Sequence, residues 1–259
     1  MNSALWVSKT GLSAQDTALR AISNNLANVG TVGFKKDRTV FEDLVYQINQ
    51  QPGGQATQDA TLPSGVQLGT GVRVASTQKQ FSIGSLQTTE RSLDMAIEGR
   101  GFFQVTLPDG TVGYTRTGSF SVDQDGQLVT AQGYVMEPAI TIPQGSTGIT
   151  VGSDGTVSVV NAGTTTQVGN IQLVDFINPT GLEAIGSNLY RETVASGAAL
   201  QSVPGQNGIG EVVQGVLEAS NVSVVEEMVN MVATQRAYEM NARVVSTADQ
   251  MLQYIAQNI

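Results

Sequence analysis

The apolar residues follow a helical period at both ends of the chain and a strand period between them. Near the N-terminus an apolar residue recurs every seven positions, which gives the stripe Leu5, Leu12, Leu19 and Leu26, extended by Ile22. Near the C-terminus the successive heptad positions are all apolar: Leu217, Val224, Met231, Tyr238, Val245, Leu252 and Ile259. This spacing predicts two long amphipathic helices. The second is expected to begin near Ser223, because the string SVVE at 223–226 matches a capping box.

The N-terminal helix carries a second row of small or amide residues, one directly before each leucine: Ala4, Gly11, Ala18 and Asn25. Such a row would let another backbone approach closely. Because a long amphipathic helix without a partner is marginal in water, we expect the two helices to pair with each other and with other copies of the chain. Ordinary core helices are the alternative interpretation of the same stripes.

The middle of the chain has the pattern of short β-strands. The turn pairs Asp109-Gly110, Asp125-Gly126 and Asp154-Gly155 each lie between alternating or β-branched stretches. This spacing favours an antiparallel sandwich or an irregular barrel, inserted between the two helices. Residues 50–71 have no periodicity and predict a long connection, which in a compact domain is usually functional or disordered.

The composition removes most of the chemistry that an enzyme needs. The 259 residues include no cysteine and no histidine, so thiolate ligands, disulfides and the usual general base are absent. We therefore expect no catalytic residue, no metal site and no cofactor. A net charge of −9 argues against nucleic acid, and no apolar run reaches the roughly 20 residues of a membrane-spanning helix. No cleavable signal peptide is predicted.

Two short strings resemble binding motifs. DQDG at 123–126 has part of a calcium-loop pattern, but a hairpin turn explains it better. FKKDR at 34–38 is a small basic cluster, for which a solvated face is the simplest interpretation. The alternative is a contact with an acidic surface such as Glu226, Glu227 and Glu239 on the C-terminal helix.

Four stretches of the sequence resemble the bacterial flagellar rod and hook family. They are SNNLANVGTVGFKK at 23–36, SLDMAIEGRGFFQV at 92–105, YTRTGSFSVDQDGQLVTAQGY at 114–134 and LEASNVSVVEEMVNMVATQRAYEMNARVVSTADQML at 217–252. The order of these stretches and their spread over the whole chain make the resemblance specific. The segment TLPSGVQLGTGVRV at 61–74 is similar to the distal-rod branch of that family.

The resemblance implies an α+β fold in which long N- and C-terminal helices form a coiled-coil core domain, with an all-β domain inserted between them. The expected boundaries are 1–35 with 216–259 for the helical core, 36–71 for an extended connecting segment, and 72–215 for the β-rich outer domain.

The resemblance also implies a structural role. Members of the family polymerise into a helical tube that encloses the export channel and transmits torque from the motor to the hook. The implied partners are copies of the chain itself, proximal rod and hook-side axial proteins, the peptidoglycan and outer-membrane ring bushing, and the flagellar type III export apparatus. The implied location is the periplasmic rod of the basal body, reached without signal cleavage. Neither nucleic-acid binding nor membrane insertion is expected.

The asparagines that end the first helix suggest how assembly could order the termini. In a tube the helix end would be buried against neighbouring copies, and amide side chains could then satisfy carbonyls that a monomer leaves unpaired. Gly30 and Gly33 would turn the chain outward, and Phe34 would anchor the turn in an apolar pocket. The predicted assembly-interface residues are Leu5, Leu12, Leu19, Ile22, Asn24, Asn25, Leu26, Asn28, Phe34, Leu217, Val224, Met231, Tyr238, Val245 and Leu252.

A stiffening role for residues 46–71 is carried over from the family, where the segment after the first helix packs between subunits. The residues assigned to it are Pro52, Pro63, Ser64, Gly65, Gly69 and Gly71. Two alternatives stay open: a proximal rod or hook-like subunit, and an extracellular binding module whose β-domain is carried on an oligomeric helical stalk.

Overall fold

The computed structural model of the chain describes residues 3–51, 53, 55–57, 60–61, 64–161 and 163–257. These residues form an α+β fold with a helix at each end, α1 (Ser3–Ala27) and α2 (Val224–Gln257). A short 3-10 helix covers Pro179–Gly181. Contacts divide the chain into two compact units, which we call the helical unit (1–26, 37–78 and 223–259) and the β unit (27–36 and 79–222).

The strands lie between the helices in chain order. They are β1 (Asp37–Asp43), β2 (Tyr46–Gln50), β3 (Gln55–Thr57), β4 (Ala60–Thr61), β5 (Val66–Gly69), β6 (Val72–Lys79), β7 (Leu86–Thr88), β8 (Met95–Glu98), β9 (Phe102–Thr106), β10 (Val112–Thr115), β11 (Phe120–Val122), β12 (Leu128–Thr130), β13 (Val135–Glu137), β14 (Gly148–Val151), β15 (Thr156–Asn161), β16 (Thr164–Asn170), β17 (Leu173–Asp175), β18 (Glu183–Gly186), β19 (Leu189–Arg191), β20 (Leu200–Ser202), β21 (Glu211–Gln214) and β22 (Val216–Glu218).

In the helical unit, the segment between the two helices forms paired strands. β1 pairs with β6, and β2 pairs antiparallel with β5, with Tyr46 opposite Gly69 and Gln47 opposite Leu68. The shorter strands β3 and β4 pair beyond them. The sequence predicted an extended connection here. The structure instead forms a hairpin, because apolar residues alternate with polar ones on both β2 and β5.

The β unit is built on a nine-stranded antiparallel sheet and a three-stranded one. The order β11-β12-β13-β9-β10-β19-β18 runs across the larger sheet, with β17 joining β9 to β20, and β14-β15-β16 form the smaller sheet. β21 pairs with β8, and β22 pairs with β7. Alternating burial along β15, with Val157 and Val159 fully buried, gives the half-buried strand pattern that the sequence predicted.

The core of the β unit has an aliphatic part and an aromatic part. The aliphatic part includes Met95, Ile97, Val157 and Leu173, all at most 1% exposed. In the aromatic part, the rings of Phe102, Tyr114, Phe176 and Tyr190 meet edge to face. The three Asp-Gly turns predicted from the sequence are present: Gly110, Gly126 and Gly155 all have positive φ at the turns between successive strands.

Candidate assembly interface

Small and polar residues of the two terminal helices contact each other at two places. A Cβ on Gly11 would lie 3.1 Å from Nδ2 of Asn241, so the backbone of α1 closely approaches the side chains of α2 there. Two heptads further along α1, Asn25 Nδ2 donates to Glu227 Oε2 at 3.2 Å, and Glu227 lies two heptads before Asn241. The helices therefore run antiparallel, with the row Gly11, Ala18 and Asn25 facing α2.

Packing against α2 buries part of α1, and another side of α1, which includes Thr10 and Ala14, lies beside β6. On α1 the buried residues are Ser8, Ala14, Ala18 and Asn25, whereas the four leucines are only partly buried. On α2, Glu227 and Ala248 are buried. We call the contact between α1 and α2 the intrachain seam. The small row of α1 was predicted to admit another backbone; at Gly11 the group that approaches is the side chain of Asn241.

The seam leaves a broad apolar surface of α2 in contact with solvent. Val225 is 73% exposed, Val229 63% and Met240 61%. We call this surface the outer face; its exposed apolar residues are Val225, Met228, Val229, Val232, Met240, Val244 and Met251. A contiguous exposed apolar surface of this kind marks an interaction site.

The predicted interface residues fall into three groups. On the helices, Leu5, Leu12, Leu19, Ile22, Leu26, Val224, Met231 and Val245 are partly buried, and Asn24, Tyr238 and Leu252 are exposed. Asn25 and Phe34 are buried within the chain itself. Leu217 does not belong to the helical row: it lies on β22 opposite Gln87, because the chain enters α2 only after Ser223.

Ser223 caps α2 as the sequence predicted. The backbone N–H of Glu226 donates to Ser223 Oγ at 3.5 Å, and the N–H of Glu227 donates to the Ser223 carbonyl at 2.9 Å. Glu226 and Glu227 both lie in the first turn, where a negative charge is favoured by the helix dipole. The position of the cap explains why the preceding heptad position, Leu217, falls outside the helix.

Asn25 finds all its partners inside the chain, which corrects the idea that its amide waits for a neighbouring copy. Its Oδ1 accepts from the Asp37 N–H at 2.8 Å, and its Nδ2 donates to the Asp37 carbonyl at 2.9 Å as well as to Glu227. Asn25 therefore ties the end of α1 to the start of β1 and to the first turn of α2. Asn28 acts locally, since its Oδ1 accepts from Thr31 Oγ1 at 3.1 Å.

The turn after α1 is built as expected at Gly33 and Phe34. Gly33 has φ 70°, and a Cβ there would lie 2.8 Å from the backbone of Arg116, so only glycine fits. Phe34 is buried, with Lys79 Nζ 5.3 Å from the centre of its ring.

Lys35 was expected on a solvated face and is instead fully buried, paired with the fully buried Glu218. Arg116 approaches the other carboxylate oxygen, with Nη1 3.4 Å from Glu218 Oε2. Lys35 Nζ also donates to the Ser82 carbonyl at 2.7 Å, and the Gly84 N–H donates to Glu218 Oε1 at 3.0 Å. We call Lys35, Arg116 and Glu218 the junction cluster. Pattern analysis missed it because nothing in FKKDR distinguishes a buried lysine from an exposed one.

The same part of the β unit is tied together by Asn221, a second residue that sequence reasoning missed. Its Oδ1 accepts from the Lys36 N–H at 2.8 Å, and its Nδ2 donates to the Gln80 carbonyl at 2.7 Å. The Gly33 N–H donates to the Glu218 carbonyl at 2.7 Å. Three segments that lead to or from the helical unit, 33–36, 80–84 and 218–221, are thus fixed to one another.

Burial governs the electrostatics of the junction cluster. Loss of water lowers the pKa of Lys35 from its ordinary value of 10.5, although the carboxylate of Glu218 opposes this shift. Burial also lowers the pKa of Arg116, again against the pull of Glu218. A fully buried ion pair of this kind is costly to break, since removing one partner leaves the other charge uncompensated.

The residues assigned to stiffening lie on or beside the β2–β5 hairpin. Pro52 and Pro63 fall outside the described residues, Ser64 is exposed and Gly65 partly buried. Gly69 lies on β5 against the ring of Tyr46. Gly71 has φ 130°, and a Cβ there would overlap Thr10 Oγ1 on α1. Val45, Tyr46, Ile48, Val66 and Leu68 are exposed, so the hairpin offers apolar surface on both faces.

Searches for a metal site or a membrane span within the described ranges were negative. No group of three or more acidic side chains there could hold a metal ion. Neither helix, over the residues described, is long and apolar enough to cross a membrane.

Comparisons with known proteins show which family the sequence resembles. Three family models match: the flagella basal body rod protein model at residues 5–35, the flagellar hook protein FlgE/F/G D1 domain model at 96–159, and the flagellar basal body rod FlgEFG protein C-terminal model at 213–258. The chain is 55% identical to the flagellar basal-body rod protein FlgG of Buchnera aphidicola subsp. Schizaphis graminum, over 98% of each chain. It is 46% identical to that of Borreliella burgdorferi, over 100% of this chain and 99% of the other, and 47% identical to that of Caulobacter vibrioides, over 98% of each.

The chain belongs to the flagellar FlgE/F/G rod and hook family. This is a family of structural flagellar proteins, and the relatives named FlgG place the chain in the flagellar basal body as a rod subunit. The junction cluster takes one residue from each of the three regions matched by the family models: Lys35, Arg116 and Glu218. In this FlgE/F/G family member, three regions far apart in sequence therefore meet at one buried ion cluster.

Proposed function

We propose that this rod-family chain is a distal-rod subunit that polymerises with copies of itself into a rigid helical tube. The tube encloses an export channel and transmits torque from the motor to the hook. The observation that carries the proposal is the division of α2 into two surfaces: a small and polar seam toward α1, and an apolar outer face exposed to solvent.

The energetics favour assembly over an isolated helix pair. A buried valine, leucine or methionine side chain contributes roughly 1.5–3 kcal/mol relative to an exposed one. The seam buries mainly alanine, serine and polar side chains, so it contributes little of this kind. Ordering a helix costs about 1–2 kcal/mol per residue of backbone. The outer face gains its burial only against neighbouring copies, where the terminal helices form the coiled-coil core of the tube.

The remaining parts of the proposal concern place and partners. The β unit forms the outside of the tube, and the hairpin of residues 46–71 packs between subunits and stiffens it. The tube lies in the periplasm, passes through the peptidoglycan and the outer-membrane ring bushing, and joins proximal rod and hook-side axial proteins at its ends. The subunit reaches it through the flagellar type III export apparatus without cleavage of a signal.

Electron microscopy of the purified full-length chain, concentrated until it assembles, tests the proposal. We expect a hollow helical tube with α1 and α2 innermost. Val229→Asp, on the outer face, should abolish the tube, whereas Val122→Asp, the same change at an exposed position of the β unit, should leave it. A finite symmetric particle would contradict the proposal and favour the closed oligomeric stalk instead.

A further inference from the structure

Among the described residues of the β unit, the two most exposed large apolar side chains lie on neighbouring segments. Val194 is 103% exposed and Ile177 is 79% exposed. Asn178, which follows Ile177, donates from its backbone N–H to the Ser196 carbonyl at 3.3 Å and from Nδ2 to the Ala195 carbonyl at 3.0 Å. These bonds hold the two segments side by side. We call Ile177 and Val194 the protrusion.

Hydrogen bonds on the segment around Val194 define its backbone course. Ser196 is 1% exposed, and its Oγ donates to the Thr193 carbonyl at 2.8 Å and accepts from the Thr193 N–H at 3.0 Å. Thr193 Oγ1 donates to the Gly181 carbonyl at 2.6 Å. Hydrogen bonds on both sides of Val194 therefore hold this valine at a defined position, where its side chain is not buried by the chain itself.

The same unit also contains a pocket of about 390 Å³, within the usual size range of binding pockets, which is lined by apolar residues and by polar ones such as Thr117, Gln132 and Asn188. Val32 and Phe34 line it from the segment after α1, Ala131 from the end of β12, and Leu189 and Tyr190 from β19. Its wall is held in place as well, since Asn188 Nδ2 donates to the Val32 carbonyl at 2.7 Å and Thr117 Oγ1 donates to the same oxygen at 3.2 Å.

We propose that the protrusion of one copy inserts into this pocket of the next copy, so that Ile177 and Val194 fill the space over Phe34 and Tyr190. The occupant is a second copy because an open polymer needs two different, complementary patches on every subunit, and this chain presents an apolar projection and a recess whose walls include Val32, Phe34 and Leu189. Charge complementarity supports the same pairing. Glu192, exposed and two residues before Val194, carries a charge opposite to that of Lys79 at the pocket.

The absence of cysteine from the chain allows a direct crosslinking test. This inference rests on the proposed self-assembly, so the test is made on tubes formed by the full-length chain. A chain that carries both Val194→Cys and Ala131→Cys should give a ladder of dimers, trimers and higher species on oxidation, because each copy supplies one protrusion and one pocket. A mixture of two single-cysteine chains, one with each change, should give only dimers. Val194 and Ala131 are exposed, and so is Thr165 on β16, which serves as the control position. The cysteine variants should therefore fold.

The control and the outcomes separate the two proposals. A chain with Thr165→Cys and Ala131→Cys should give no ladder, and Ile177→Asp in the ladder-forming chain should reduce the ladder at least about tenfold, since it places a charge in the pocket. Normal tubes without a ladder above the Thr165 control would overturn the protrusion–pocket contact alone. Crosslinking that stops at dimers in the double-cysteine chain would also overturn it, because it indicates a closed contact. Failure to form tubes from the unsubstituted chain would contradict the proposed function itself.

Discussion

Asn25 Nδ2 donates a hydrogen bond to Glu227 Oε2 at 3.2 Å, although the two residues lie 202 positions apart in the chain. Both side chains are buried, with exposures of 1% and 4%. A buried polar pair contributes little net stability, but it strongly disfavours any helix register that separates the two groups. The contact therefore fixes how α1 and α2 align, and it leaves the apolar outer face of α2 for other contacts.

Asn25→Leu should destabilise the helical unit by at least about 1–3 kcal/mol, because it leaves buried polar groups of Asp37 and Glu227 without their partner. Denaturant unfolding followed by fluorescence of Trp6, the single tryptophan, which lies on α1, measures this. Ser23→Leu is the matched control: Ser23 is exposed, so the change should stay within about 0.5 kcal/mol. An unchanged Trp6 transition in Asn25→Leu would show that the contact does not hold the helices.

Lys35→Met should destabilise the β unit by about 3–5 kcal/mol, because the buried Glu218 loses a charge partner. Calorimetry of the full-length chain measures the loss. Arg191→Met provides the control, since Arg191 pairs with Glu183 at 2.8 Å on the exposed surface, where an ion pair contributes only about 0–1 kcal/mol. In a double-mutant cycle, the effects of Lys35→Met and Glu218→Gln should not add. Additive effects would contradict a coupled cluster.

Lys35 should also give the chain a specific pH dependence. The pKa of Lys35 is lower in the folded chain than its ordinary value of 10.5. At a pH between the folded-state pKa and 10.5, the unfolded chain therefore binds more protons at Lys35 than the folded chain does. The contribution of Lys35 to stability must then rise as the pH increases through that window. The difference in unfolding free energy between the unsubstituted chain and Lys35→Met, measured along an alkaline pH series, should grow in that direction. A difference that shrinks with pH would mean that Glu218 raises the pKa instead.

Gly71→Ala should destabilise the helical unit for two reasons. Backbone strain at φ 130° alone typically costs about 1–3 kcal/mol. The total should be larger, because the new Cβ would also overlap Thr10 Oγ1. Gly53→Ala serves as the comparison variant for the steric contact. Gly53 also has a positive φ, 78°, but no atom lies within 4 Å of the added Cβ. The Trp6 transition should shift more for Gly71→Ala than for Gly53→Ala. Equal shifts would exclude steric contact with α1 as the reason for glycine at position 71.

Local patterns predicted the elements of this fold but not which residues meet. Heptad spacing gave both helices, SVVE gave the cap at Ser223, and Asp-Gly pairs gave the turns, because each of these depends on a few neighbouring residues. The heptad pattern was wrong at Leu217, which lies on β22 and not on α2. The seven-residue spacing of apolar residues continues past the start of α2, so the spacing alone does not show where the helix begins.

Long-range polar contacts were the main omission. Lys35, Arg116 and Glu218 are separated by 81 or more residues along the chain, and each looks like an ordinary charged residue in its own segment. Their meeting depends on the tertiary fold of the β unit, which no periodicity encodes. Asn25 was recognised as unusual from the sequence, but its partner Glu227 could be identified only after the antiparallel register of the helices was known.

Limited proteolysis of the full-length chain, compared between dilute monomer and assembled tube, tests most directly whether assembly stabilises the terminal helices. The weak seam and the exposed outer face predict that α1 and α2 are cut quickly in the monomer, while the β unit survives. In the tube both helices should be protected. Equal protection of α2 in the two states would contradict the account, because neighbouring copies would then add nothing to the stability of the helix pair.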